Sequence, residues 1–106
     1  MSENRQSRRV AYACEVTCTG VGGTGVSPLN PRISDLSATG AFIDCMTQIP
    51  QGAKVKLAFD LPGRRVTATA VVAHAMPSFG MGVKFVDLGD DDRKAIEEFV
   101  AAREAG

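Results

Sequence analysis

Tryptophan is absent from this chain, tyrosine and histidine occur once each, and neither sign of charge is in excess, with 12 Lys and Arg against 12 Asp and Glu. A net charge of zero removes the whole-molecule field that draws proteins onto long nucleic acids or anionic membranes, so affinity for an anion must come from a local cluster. The scarcity of aromatics excludes another class. Binders of single-stranded nucleic acid need several stacking rings beside a basic groove, and most phenylalanines here fall at inward positions of alternating strands. No apolar run reaches membrane-spanning length. Neither a nucleic-acid polymer nor a bilayer is expected as a partner.

Metal and catalytic chemistry are as poorly provided for. His74 is the single histidine, and Cys14, Cys18 and Cys45 make an odd number of thiols. On one strand Cys14 and Cys18 stand about 13 Å apart at roughly 3.3 Å per residue, too far for one metal ion or a disulfide. They read as core thiols. No cationic leader with an apolar run precedes them, so a reducing, cytoplasmic compartment is expected. No nucleophile is accompanied by a base, and the triphosphate-binding Gly-Lys-Ser/Thr is missing; the chain is not expected to be an enzyme or to carry a cofactor.

What is present is a chain of 106 residues, 44% hydrophobic and 23% charged, enough for one domain with its own core. Residues 1–8 are polar without apolar period and read as a flexible tail; residues 9–106 read as the folded domain. Val10, Tyr12, Cys14, Val16 and Cys18 alternate with Ala11, Ala13, Glu15 and Thr17, the pattern of a half-buried strand. Gly20 to Gly25 spells G-x-G-x-x-G, but Pro28 and Pro31 oppose the helix that a dinucleotide site requires there. A flexible hairpin connection is expected instead. Short strands follow over Arg32 to Leu36, Ala41 to Met46, Lys54 to Asp60, Arg65 to Ala75 and Met81 to Asp87, separated by Gly and Pro turns such as Pro62-Gly63.

The period then changes. Asp90, Asp91 and Asp92 supply negative charge where a helix begins, and Ile96, Phe99 and Val100, flanked by Ala95 and Ala102, recur at helical spacing. The three aspartates read as capping and solvated residues rather than metal ligands. Five to seven short strands and one closing helix predict an all-β protein, a small closed or nearly closed barrel with the helix over an open end or seam.

Two clusters stand out from this framework. Arg5, Arg8 and Arg9 form the one dense basic group, and Asp35-Leu36-Ser37-Ala38-Thr39-Gly40 packs an acceptor, a hydroxyl and a glycine into a compact knuckle. The planar guanidinium fork matches phosphate oxygens or the O6/N7 edge of guanine and stacks on purines. A carboxylate accepts from donor-rich edges such as guanine N1 and its exocyclic amine. A ligand holding both guanine and phosphate uses all of these groups. Gly40 is expected to permit a positive φ or a close ligand approach, and Asp35 and Ser37 are also suited to a local side-chain-to-backbone turn.

Arg5-Gln6-Ser7-Arg8-Arg9 fits R-x-x-x-R and Asp35 to Gly40 fits D/N-x-S-x-x-G, the paired signature of PilZ domains; Gly82-Val83-Lys84-Phe85-Val86-Asp87 resembles the late G-V-x-F-x-D strand of that family. The resemblance spans essentially the whole chain. It implies a six-stranded antiparallel β-barrel with one C-terminal helix, binding the bacterial second messenger cyclic di-GMP on its outer surface beneath the arginine tail. Arg5 and Arg9 would take guanine edges and phosphates, Asp35 and Ser37 the base or phosphate opposite, and Gly40 would leave room. Arg8 occupies a variable position of the motif, and Asn4 a place that bears on ligand stoichiometry. With little chain outside the barrel, the output is expected in an unidentified effector protein, the domain serving as an adaptor in motility, surface polysaccharide or biofilm control. A PilZ module that binds partners without nucleotide is the alternative.

Overall fold

Alternation decides the first strand. Val16 and Cys18 are buried while Glu15, Thr17 and Thr19 between them are exposed, so β1 (Val10–Gly20) turns one edge of its pleat to the interior throughout. The computed structural model describes residues 9–20, 31–45, 49–76 and 79–105. After β1 come β2 (Arg32–Leu36), β3 (Gly40–Asp44), β4 (Lys54–Leu61), β5 (Arg64–Met76), β6 (Gly80–Leu88) and α1 (Asp90–Ala105). The expectations for residues 1–8, including Asn4, Arg5 and Arg8, and for Val21 to Gly25 lie outside the described residues.

The six strands close into a barrel in the order β1-β2-β3-β6-β5-β4, every pairing antiparallel. Closure satisfies the outer backbone groups that an open sheet would leave at its edges. In β4 the inward residues Val55, Leu57 and Phe59 are no more than 2% exposed, and they meet Ile33, Leu36, Ile43, Val66 and Val72 inside the barrel. Leu61 and Arg64 pair across the Pro62-Gly63 turn, with Gly63 at φ 79°, the sign that the third position of a type II turn requires.

The register puts the start of β1, the β2–β3 turn, the β4–β5 hairpin and the end of β6 at one end of the barrel. α1 departs from β6 at that end and closes it with Ile96 and Val100, both buried in the core. Each such side chain contributes about 1.5–3 kcal/mol through its removal from water. The helix is also latched to β1. Tyr12 and Phe99 meet edge to face at 4.6 Å, Arg103 lies over both rings, and the Arg103 guanidinium donates to the Ala11 carbonyl at 3.0 Å. The Tyr12 hydroxyl donates to the Asp60 carbonyl at 2.6 Å, and burial, ahead of the neighbouring Cys14, raises its pKa and keeps it a donor.

Three details differ from what the sequence suggested. Asp92 is not a solvated cap: its side chain is 16% exposed and pairs with Arg64 at 2.8 Å, tying the helix start to the β4–β5 hairpin. Ala102 is exposed rather than part of the packed stripe. Gly40 does not have a positive φ; among the described residues that conformation belongs to Gly52, Gly63 and Gly80. Most phenylalanines do face the core: Phe59 is buried and Phe85 and Phe99 pack against it, whereas Phe42 faces outward and Phe79 is 69% exposed.

Cys14, Cys18 and Cys45 are thiols, and Cys18 and Cys45 are buried. Burial, with a smaller contribution from Cys45, pushes the Cys18 thiol up to about 12. Because the thiolate is the reactive form, Cys18 is expected to resist iodoacetamide in the folded protein and to react once urea unfolds it. Mass spectrometry of the alkylated peptides checks this; rapid labelling of native Cys18 would contradict the barrel interior as its location.

Candidate functional site

Arg9 immediately precedes β1, and Asp35 lies on β2 where Ala11 pairs with it. The register of β2 slips at Ser34 against β3, and this extra residue carries Asp35 to the outer surface between the inward Ile33 and Leu36. Arg9 and Asp35 consequently face each other, with the guanidinium donating to the carboxylate at 3.1 Å. The pair is wet, the Arg9 side chain being 52% exposed and that of Asp35 34%. An ion pair so exposed contributes about 0–1 kcal/mol, so opening it costs little.

The knuckle after Asp35 is built by Ser37. This residue is 1% exposed, and its Oγ accepts from the Gly40 amide at 3.0 Å and the Thr39 amide at 3.2 Å. The same hydroxyl donates to the Gly40 carbonyl at 3.2 Å, and the Ser37 amide donates to that carbonyl at 2.8 Å. Ser37 therefore holds the β2–β3 connection from within, and the surface it offers to a ligand is small. The motif brings Asp35 and Ser37 to one turn but gives them opposite exposures.

Gly40 has a structural task of its own. A Cβ on it would fall into the carbonyl oxygen of Val83, with Lys84 Cα 3.3 Å away. The close approach it allows is that of β3 to β6, reinforced where the Phe85 amide donates to the Thr39 carbonyl at 2.8 Å. Of the residues expected to form the site, the described ones, Arg9, Asp35, Ser37 and Gly40, gather around one turn at the helix-capped end of the barrel.

Three residues not singled out for binding in the sequence share the outer surface with Asp35. Phe42 pairs with Asp35 across β2 and β3, Gly82 pairs with Phe42 across β3 and β6, and His74 pairs with Gly82 across β6 and β5. The signal for Phe42 was present in its buried neighbours Ala41 and Ile43, which set the intervening residue outward. His74 lies near the end of its strand and is exposed there. Among the described residues no cluster of His, Cys, Asp and Glu is arranged to hold a metal ion, and no helix is long and apolar enough to cross a membrane.

The PilZ domain family model matches residues 3–102. The fold is similar to that of the Bacillus subtilis inhibitor of motility MotI/DgrA, with a TM-score of 0.78 at 17% identity over 98% of this chain and 53% of that one. The chain thus spans about half the length of that neighbour. It is also similar to the PilZ domain of CeSA from a cellulose-synthesizing bacterium, with a TM-score of 0.67 at 18% identity over 92% of this chain and 99% of the other. No curated protein sequence matches. With the family match running from before the first strand into the closing helix, on a barrel of the same architecture, this chain belongs to the PilZ domain family.

Proposed function

We propose that this protein is a receptor for cyclic di-GMP that orders its N-terminal arginine segment over the barrel and thereby acts as an adaptor on a partner protein. The observation that carries the proposal is the meeting of Arg9 and Asp35 on the outer surface beside a turn fixed by Ser37. Arg9 presents donors in a plane, Asp35 presents acceptors, and the weak, wet bridge between them yields readily to a ligand that serves each better. Arg5 completes the R-x-x-x-R spacing, and Arg8 adds charge beside it. Such a ligand must carry phosphate for the arginines and a donor-rich base edge for Asp35, as a guanine nucleotide does. MotI/DgrA, with which the chain shares its fold, is an inhibitor of motility, and control of motility is the process we favour. The messenger and the partner would be met in the cytoplasm.

Calorimetric titration with cyclic di-GMP, with GTP as the comparison, tests the proposal. The unaltered protein is expected to give saturable heat selective for the cyclic dinucleotide and weakening as salt rises, because two phosphates are neutralised. Arg9→Ala is expected to reduce affinity by about 100-fold, the loss of a charge-assisted contact, while its melting temperature stays near that of the unaltered protein. Undiminished binding by this variant would overturn the proposal. A second reading, an interaction module working without nucleotide, draws on the fact that Arg9 and Asp35 already satisfy one another. Partner binding that ignores added messenger would favour it.

A further inference from the structure

The outer row that contains Asp35 is assembled by two irregularities of register. In β5 the inward residues Val66, Ala68, Ala70 and Val72 are buried, and continued alternation would send His74 inward as well. Instead the register shifts between Val72 and His74, so that Ala75 pairs with the buried Met81 and His74 comes to the outer surface opposite Gly82. The shift at Ser34 does the same for Asp35 on β2. Without either bulge the row would be out of phase. With both, Asp35, Phe42, Gly82 and His74 lie side by side on consecutive strands β2, β3, β6 and β5.

Gly82 is the reason that two rings can lie low there. Its outer side has no side chain, yet the residue is buried, because its neighbours cover it. At the position a Cβ would occupy, Phe42 Cδ1 is 3.9 Å away and His74 Cδ2 is 3.8 Å away. Two rings from the flanking strands therefore lean over a glycine floor, and each keeps part of its surface toward solvent, Phe42 being half-buried and His74 exposed. Adjacent strands are about 4.8 Å apart, so a ring resting on Phe42 has its edge within reach of the carboxylate one strand away.

We propose that Phe42 and His74, laid over Gly82, form a stacking platform for one purine base of the ligand, with Asp35 accepting from the edge of that base. This inference rests on the receptor reading above and adds the residues that hold the base by its face. The arginines contact charge and edges, which a mononucleotide phosphate also offers; the platform adds a requirement for a flat aromatic base, and it makes β5 and β6 part of the site. Aromatic stacking of a base is lost on truncation of the ring at a cost corresponding to about 5- to 150-fold in affinity.

The test combines titration with proton NMR. Because His74 is the single histidine, its imidazole C2 proton is a unique resonance. Saturating the unaltered protein with cyclic di-GMP is expected to move that resonance upfield by the ring current of the stacked base. Phe42→Leu, which keeps apolar bulk but loses the flat ring, is expected to weaken binding at least tenfold without a matching fall in melting temperature. His74→Ala, at an exposed position, is expected to weaken binding several-fold. If the unaltered protein binds and Arg9→Ala does not, while Phe42→Leu and His74→Ala bind normally and the imidazole resonance stays in place, the platform is wrong and the receptor stands. If the unaltered protein gives no binding at all, both are overturned. The NMR result needs no variant, so a Phe42 substitution that fails to fold leaves the platform open to refutation.

Discussion

Gly40→Ala is expected to destabilise the barrel by about 3 kcal/mol or more, and Gly40→Val to prevent folding. The cause is steric and local. The added Cβ would enter the Val83 carbonyl oxygen, and the neighbouring Val83 carbonyl carbon and Lys84 Cα lie 3.2 and 3.3 Å from it. All three are backbone atoms in a ladder that closes the barrel, so none can rotate away as a side chain would. Displacing β6 would also strain the bond from the Phe85 amide to the Thr39 carbonyl. Gly52→Ala is the control: its φ is 92° but nothing stands within 4 Å, so only the backbone penalty of about 1–2 kcal/mol applies. Urea unfolding of the two alanine variants separates the cases. If Gly40→Ala were as stable as the unaltered protein but unable to bind, the glycine would serve the ligand instead of the sheet.

Ser37→Ala is expected to cost about 2–4 kcal/mol, since the amides of Thr39 and Gly40 lose their acceptor at a position where Ser37 is 1% exposed. In a domain of this size each kcal/mol lowers the melting temperature by about 4–8 °C, so a fall of roughly 10 °C or more is anticipated. Affinity for cyclic di-GMP should fall as well, through disorder of the turn that carries Asp35. The manner of the loss distinguishes Ser37 from Arg9. Ser37→Ala leaves every cation in place, so the dependence of its residual binding on salt should match that of the unaltered protein, whereas Arg9→Ala should flatten it. A Ser37→Ala protein of unchanged stability with lost binding would make the hydroxyl a direct ligand contact.

Much of this architecture could be read from residue patterns, and the failures have a common physical origin. The strict alternation of Val55, Leu57 and Phe59 fixed the faces of β4, and the change of period at Asp90 located the helix. Alternation fails where a single extra residue reverses the phase. Alternation by itself would turn His74 and Asp35 inward; the bulges in β5 and β2 send both outward, which for Asp35 is where the site was expected, and a third between Phe85 and Asp87 reorganises the end of β6. No local feature of Ala73 or Ser34 announces an insertion, because the register depends on strands far away in sequence. The same holds for Gly40. A glycine in a turn motif suggests an unusual φ or a nearby ligand, but the atom it makes room for, the Val83 carbonyl oxygen, belongs to a strand far along the chain. Asp92 was legible as a helix-start residue, but its partner Arg64 was not, since the hairpin carrying it meets the helix only after the barrel has closed.

The latch between Arg103 and the first strand bears on how the protein comes into being on the ribosome. The arginine segment and β1 emerge ahead of the other strands, yet β1 completes its pairing only when β4 is available, and Ala11 and Tyr12 acquire their last partners from Phe99 and Arg103, 92 positions later in the case of Ala11. Translation at about 5–20 residues per second makes that interval several seconds long. Throughout it, the start of β1 lacks the contacts that the helix supplies. The nascent chain therefore passes through a period in which Arg9 exists chemically but the closed, helix-capped barrel that sets its position does not.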